Sequence, residues 1–196
     1  MDWPQPNERL FVSGADWEHN ACVVSYSESL STYAWYYKEG ADELIRSAVE
    51  DRSILDGVIR PIVYLYRQHV ELTLKEIIYL SRSLQNETSD FPHHHNLVSL
   101  WDEAKRRLIE EYGSSTPTEL NNLDTIVTEF SHHDPQSFAF RYPWDKKGQR
   151  TLPNIRHINV RNLRETMDRV SSFLSCICGD LSARVQCRCD AEREAC

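Results

Sequence analysis

The residues best suited to chemistry in this sequence lie in one stretch, Tyr66-Arg-Gln-His-Val-Glu-Leu-Thr-Leu-Lys75. Arg67, Glu71 and Lys75 recur at every fourth position, so on a helix they stand in single file. Their surroundings are apolar on two sides. At about 100° per residue, Ile59, Ile62, Val63, Tyr66, Val70, Leu74 and Ile77 form one stripe, and Leu65, Leu72, Tyr79 and Leu80 form a second. A helix apolar on two sides is buried, and a buried charge must be paired or it is strongly destabilising. Two readings follow. Either the file is an intrahelical ion-pair ladder, or it is a cationic site in which Glu71 steadies Arg67 for gripping a phosphate or carboxylate, with His69 and Lys75 beside it.

Three further groups carry potential chemistry. His93-His94-His95-Asn96 stands at a helix start, where three adjacent histidines point in different directions and make no ready metal site. His95 is the one expected to face the bundle and exchange a proton near neutral pH, while the plainer reading is a helix start with solvated histidines. In the run Asp134 to Asp145, Arg141 and Asp145 lie among Phe138, Phe140, Tyr142 and Trp144. That grouping suits a planar ligand or a partner chain, or else the aromatics simply cover the bundle. Arg150 and His157 have Arg-x6-His spacing, but Pro153 between them argues against one continuous helix.

Cysteine use is uneven. Cys22 stands alone, whereas Cys176, Cys178, Cys187, Cys189 and Cys196 crowd the end of the sequence. Two Cys-x-Cys pairs can in principle offer four thiolates to zinc, yet one intervening residue is a poor chelate bite. The preferred reading is a polar tail of reduced thiols, with no metal or cofactor expected.

The elements that must position these residues are mostly helical. With 196 residues, 40% hydrophobic and 27% charged, the chain is large enough for one domain with a real core. The net charge of -8 argues against a general nucleic-acid or membrane coat while allowing a local basic cleft. The start, Met1-Asp-Trp-Pro-Gln-Pro-Asn-Glu, does not read as a signal peptide and no apolar run is long enough for a membrane span, so a cytoplasmic location without membrane attachment is expected. Residues 1–15 read as an extended arm, 16–178 as a helical domain and 179–196 as a Cys-rich tail. Helices are expected from about Ser29 to Asp51, from an Asp56 cap to about Ser83, from His95 or Asn96 to near Gly113, from a Thr116 cap to about Phe130, and from an Asn159 cap to about Ile177. Alternation around Phe138–Pro143, the turn-rich Trp144–Gln149 and Arg150–Leu152 predict a small β-hairpin at about 138–152. The fold class is mainly α: a single-domain bundle of about five helices with that hairpin inserted before the last helix.

Three segments together resemble the helical core of HEPN-like bacterial proteins: Tyr37-Lys-Glu-Gly-Ala-Asp-Glu-Leu44, Pro61 through Lys75, and His95-Asn-Leu-Val-Ser-Leu-Trp101. The later Phe140-Arg-Tyr-Pro143 looks like an element accompanying that core. The resemblance spans roughly residues 30–175. It implies a compact, often dimeric bundle of the bacterial defence and toxin–antitoxin type, with a partner encoded nearby. Active members are metal-independent ribonucleases with Arg-x4–6-His on a helix, where His works on the 2′-hydroxyl or leaving oxygen and Arg stabilises the phosphate. This sequence departs from that pattern, since His69 follows Arg67 too closely and no histidine lies four to six residues beyond it.

Two functions are therefore expected. The first is a HEPN-like component that binds a nucleotide, RNA or protein partner through a polar site between helices. Its binding residues are His69, Glu71, Lys75, Arg141, Tyr142 and Asp145. The alternative is a metal-independent ribonuclease effector with Arg67 and His95 as its catalytic pair.

Overall fold

The pattern of two apolar stripes on one helix is explained by what surrounds it. In the computed structural model, which describes residues 3–23, 29–87, 90–113 and 117–194, the five helices are α1 (Leu30–Glu50), α2 (Leu55–Leu84), α3 (Leu97–Tyr112), α4 (Leu120–His133) and α5 (Val160–Glu194). Helix α2 is the axis: α1, α3 and α5 all pack against it, and α4 packs on α3. Its burial is correspondingly broad, and half of its residues are buried, Arg67, Glu71 and Lys75 among them.

Capping residues set most boundaries. Ser29 Oγ accepts from the Thr32 amide, Asn96 Oδ1 from the Ser99 amide and Asn159 Oδ1 from the Asn162 amide, satisfying first-turn donors of α1, α3 and α5. Gly113 ends α3 with φ at 55°, a conformation costly for any residue with a Cβ. Helix α2 begins one residue before Asp56, after a 3-10 turn capped by the Asp51 side chain. Pro61 thus falls in the second turn rather than the first, where the carbonyl it deprives of a partner belongs to solvent-facing Gly57. The Thr116 cap expected for α4 lies outside the described residues.

Two expectations need correction. The predicted β-hairpin is not formed: among the described residues no strand occurs, and a single antiparallel bridge, Trp144 to Arg150, is all that pairs. Residues 138–142 coil instead, with the Phe138 carbonyl accepting from the amides of Arg141 and Tyr142. The Asp134 carboxylate locks this coil by accepting from the amides of Phe138 and Ala139. Pro143 then denies a ladder donor at the end of the supposed first strand. The second correction concerns residues 179–194, which continue α5 as helix instead of forming a tail. Leu181 is fully buried, Val185 packs on the core, and Arg188 donates to the carbonyls of Ser83 and Leu84, the orphan acceptors at the end of α2. Cys176 is exposed and Cys178 buried on this one helix, so the pair is turned to different sides, and burial pushes the Cys178 thiol up to about 12.

Residues 3–23 carry no regular element except a 3-10 turn at Trp17–His19. No helix among the described residues is long and apolar enough to cross a membrane. The core joins Ile45, Tyr66, Leu74, Ile78, Leu100, Leu108, Leu123, Met167 and Leu174 across all five helices. Because Leu74 is fully buried at its centre, Leu74→Ala is expected to cost about 2–5 kcal/mol in urea unfolding with an unchanged m-value.

Candidate functional site

The charged file of α2 is a buried network with one edge in solvent. Arg67 has 0% exposure, and each of its nitrogens is engaged within the protein. Nη1 donates to Glu71 Oε2 at 3.0 Å, Nη2 to the His95 carbonyl at 2.9 Å and Nε to the Asp134 carbonyl at 3.3 Å. The Asp134 carboxylate approaches the same Nε at 3.5 Å. Glu71, also with no exposed surface, accepts from Lys75 Nζ at 3.0 Å and meets His95 Nδ1 at 2.7 Å. Lys75 is buried too and lies 6.0 Å from the centre of the Phe91 ring. The His95 side chain is 60% exposed, which makes it the outlet of the network to solvent.

The electrostatics follow from this geometry. Burial raises the Glu71 carboxyl, but the hydrogen bonds from His95 and Lys75 outweigh it and hold the group below the ordinary carboxylate range. Glu71 is therefore ionised at neutral pH. A buried carboxylate on one ring nitrogen of an exposed imidazole orients the other nitrogen outward, an arrangement suited to proton exchange. Tyr37 of α1 feels the charge of the same carboxylate. Its hydroxyl is raised by burial and then by the potentials of Tyr64 and Glu71, so it stays a donor.

The expected site residues divide accordingly. Arg67, Glu71, Lys75 and His95 meet directly. Arg141 lies over Tyr64, one turn before Arg67 on α2, at 5.6 Å, and over Tyr142 at 5.8 Å, with Nε bonded to the Ser137 carbonyl. Tyr142 in turn stacks on Phe138 at 4.6 Å, and both Arg141 and Tyr142 are exposed. His69 and Asp145 lie elsewhere. His69 faces α1, where its Nδ1 bonds the Ala34 carbonyl at 2.9 Å, and burial lowers its pKa so that the ring is neutral. Asp145 closes its own turn, accepting from the amides of Lys147 and Gln149. Arg150 and His157 precede α5 and are not on a helix.

Sequence reasoning did not identify three participants. Asp134 joins Arg67 across 67 residues, and its only local signal was an Asp-Pro step after a helix end. Tyr37 read as one of the periodic positions of the first helix, and Tyr64 fell on neither apolar stripe of the second. There is also a second polar cluster: Lys38 bridges Asp42 and Asp168 at 2.7 Å each, and Tyr66 donates to Asp42, tying α1, α2 and α5 together. Lys38 is held above its ordinary value, because those two carboxylates outweigh the effect of burial.

No family model, curated protein or solved structure shows a significant match to this chain. The HEPN-like resemblance thus stands on the short motifs quoted above.

Two outcomes test the network. Arg67→Met takes one partner from Glu71, leaves the Asp134 carboxylate without its cation and strands two carbonyls, and is expected to cost about 3–5 kcal/mol. Glu71→Met strands the Lys75 ammonium, so Glu71→Met combined with Lys75→Met should cost less than the two singles summed, measured by a urea double-mutant cycle. The pH dependence has two windows. The folded pKa of His69 is depressed, so its contribution is complete above its ordinary value of 6.5 and is lost as pH falls below that value. Glu71 is likewise depressed, and its contribution is complete above its ordinary 4.5 and is lost at lower pH. Melting temperature should fall between about pH 6.5 and 5, and His69→Gln, whose amide can still donate to Ala34, should flatten that interval alone.

Proposed function

We propose that this chain is a HEPN-like binding module that holds a phosphate-bearing ligand, a nucleotide or the end of an RNA strand, on the surface formed by Tyr64, Arg141, Tyr142 and His95. The observation that carries this reading is the contrast between two arginines. Arg67 is wholly buried with every nitrogen engaged, so it is not presented to a ligand, whereas Arg141 is exposed and backed by two tyrosine rings. An exposed guanidinium can pair with a phosphate in bidentate fashion, while the half-exposed Tyr142 offers an aromatic edge beside it. His95, oriented by Glu71 two turns beyond Tyr64 on α2, adds a further hydrogen-bonding group. The net charge of -8 favours a short ligand over a long nucleic-acid track. The HEPN-like resemblance supports placing such a module in bacterial defence.

One observation favours the ribonuclease alternative, namely the carboxylate-held imidazole of His95, a geometry suited to a general base. The two readings separate in one experiment. A 5′-labelled single-stranded RNA incubated in EDTA should bind, by fluorescence anisotropy, and remain intact on a gel. Arg141→Ala should weaken binding roughly tenfold with unchanged helicity. Cutting that His95→Ala abolishes would establish the ribonuclease reading instead. Absence of binding to RNA and to nucleoside monophosphates at about 1 mM, an affinity no better than a few kcal/mol, would sink both.

A further inference from the structure

A second concave region lies where α4 ends and α5 begins, bounded by the connecting residues 154–159. It is a cleft of about 460 Å³, within the size range of small-molecule sites. Its back is made by Val63, Phe130, Phe140 and Met167, and Val63, Phe140 and Met167 are almost wholly buried. None of these four side chains carries an N–H or O–H group, so the deep part of the cleft accepts an apolar body and cannot satisfy a sugar or a polar base. The rim has a different chemistry. His133, Arg156 and His157 border it, against one acid, Glu129. Among the described residues, neither Arg156 nor His157 has a hydrogen-bond or ion-pair partner, in contrast to the fully engaged Arg67.

We infer that this cleft is a binding site for a small amphipathic anion: a flat or branched apolar body of one or two ring systems bearing a single carboxylate, sulfonate or phosphate. The apolar body fills the space between Phe130, Phe140 and Met167. The anionic group lies at the rim, where Arg156 supplies a permanent charge and donors in a planar fork. The site is distinct from the surface assigned above. Val63 and Phe140 line the cleft, whereas their chain neighbours Tyr64 and Arg141 meet each other outside it. The inference therefore does not depend on nucleotide or RNA binding.

The chain itself provides a local reporter. It contains two methionines, Met1 and Met167, so protein labelled with 13C at the methionine methyls gives two signals, and Met167→Leu identifies the cleft one. The probe is 1-anilinonaphthalene-8-sulfonate, added to the folded full chain at neutral pH, with uncharged N-phenyl-1-naphthylamine as its comparison. Addition of the sulfonate should shift the Met167 methyl saturably and leave Met1 in place, with a Kd of roughly 10–100 μM, ordinary for a ligand of this size. Arg156 is exposed, so Arg156→Glu should fold normally and weaken the sulfonate by about tenfold or more while hardly affecting the uncharged amine. Asn162→Trp, from an exposed position on the α5 wall, should occlude the cleft and abolish both effects with an unchanged melting temperature. The inference is overturned if the Met167 methyl does not move at saturating probe. It is equally overturned if Arg156→Glu binds the sulfonate as tightly as the parent chain.

Discussion

Two of the segments that connect the helices are held to the central helix by one guanidinium. Arg67 sits at the middle of the central helix with no solvent contact, and its nitrogens reach Glu71, the His95 carbonyl and the Asp134 backbone. Two of those partners belong to connecting segments, one before α3 and one after α4. Helices pack by burying stripes, but connectors have few apolar groups to bury and need polar anchors. A planar cation with donors in several directions can hold two connectors to one helix, which lysine could not do with the same geometry. Glu71 then balances the charge and extends the network to Lys75 and His95.

This arrangement also assigns the surface chemistry. With Arg67 occupied internally, the cation available near the middle of α2 is Arg141, carried on the coil that Asp134 caps. Asp134 thus serves both sides: its carbonyl and carboxylate face Arg67, and its carboxylate fixes the turn that presents Arg141. The exposed arginine and the exposed histidine owe their positions to the same buried one. The fold shows how an ionic core can be structural and still decide what a ligand meets.

The helices were legible because each has a strong period and most have a cap, as at Ser29, Asn96 and Asn159. The end of α5 was not legible. Beyond Gly179 its apolar positions thin to Leu181 and Val185, and the polar composition hides a helix held by ion pairs such as Arg184 to Glu111 and Asp180. Local alternation near Phe138 suggested strands, but capping by Asp134 and the missing donor of Pro143 prevailed over the pattern. At the site, the file Arg67, Glu71, Lys75 was readable from spacing alone, and His95 from its residue type at a helix start. Asp134 was not readable as a partner, since nothing local marks a contact across 67 residues. Spacing also could not show that the charges of the file are spent on one another and on backbone carbonyls.

The long span of these contacts has a kinetic side. Helices α1 and α2 can pair as soon as their short connection forms, whereas the Arg67 hub closes only when the segments at residues 95 and 134 have both arrived. Until then a charged side chain lies in a half-built apolar interior, so partly assembled bundles gain little from it. Interactions that form late resist unfolding more than they speed folding. The hub therefore acts as a late-closing latch, slowing escape from the native state while leaving the rate of reaching it to the helices.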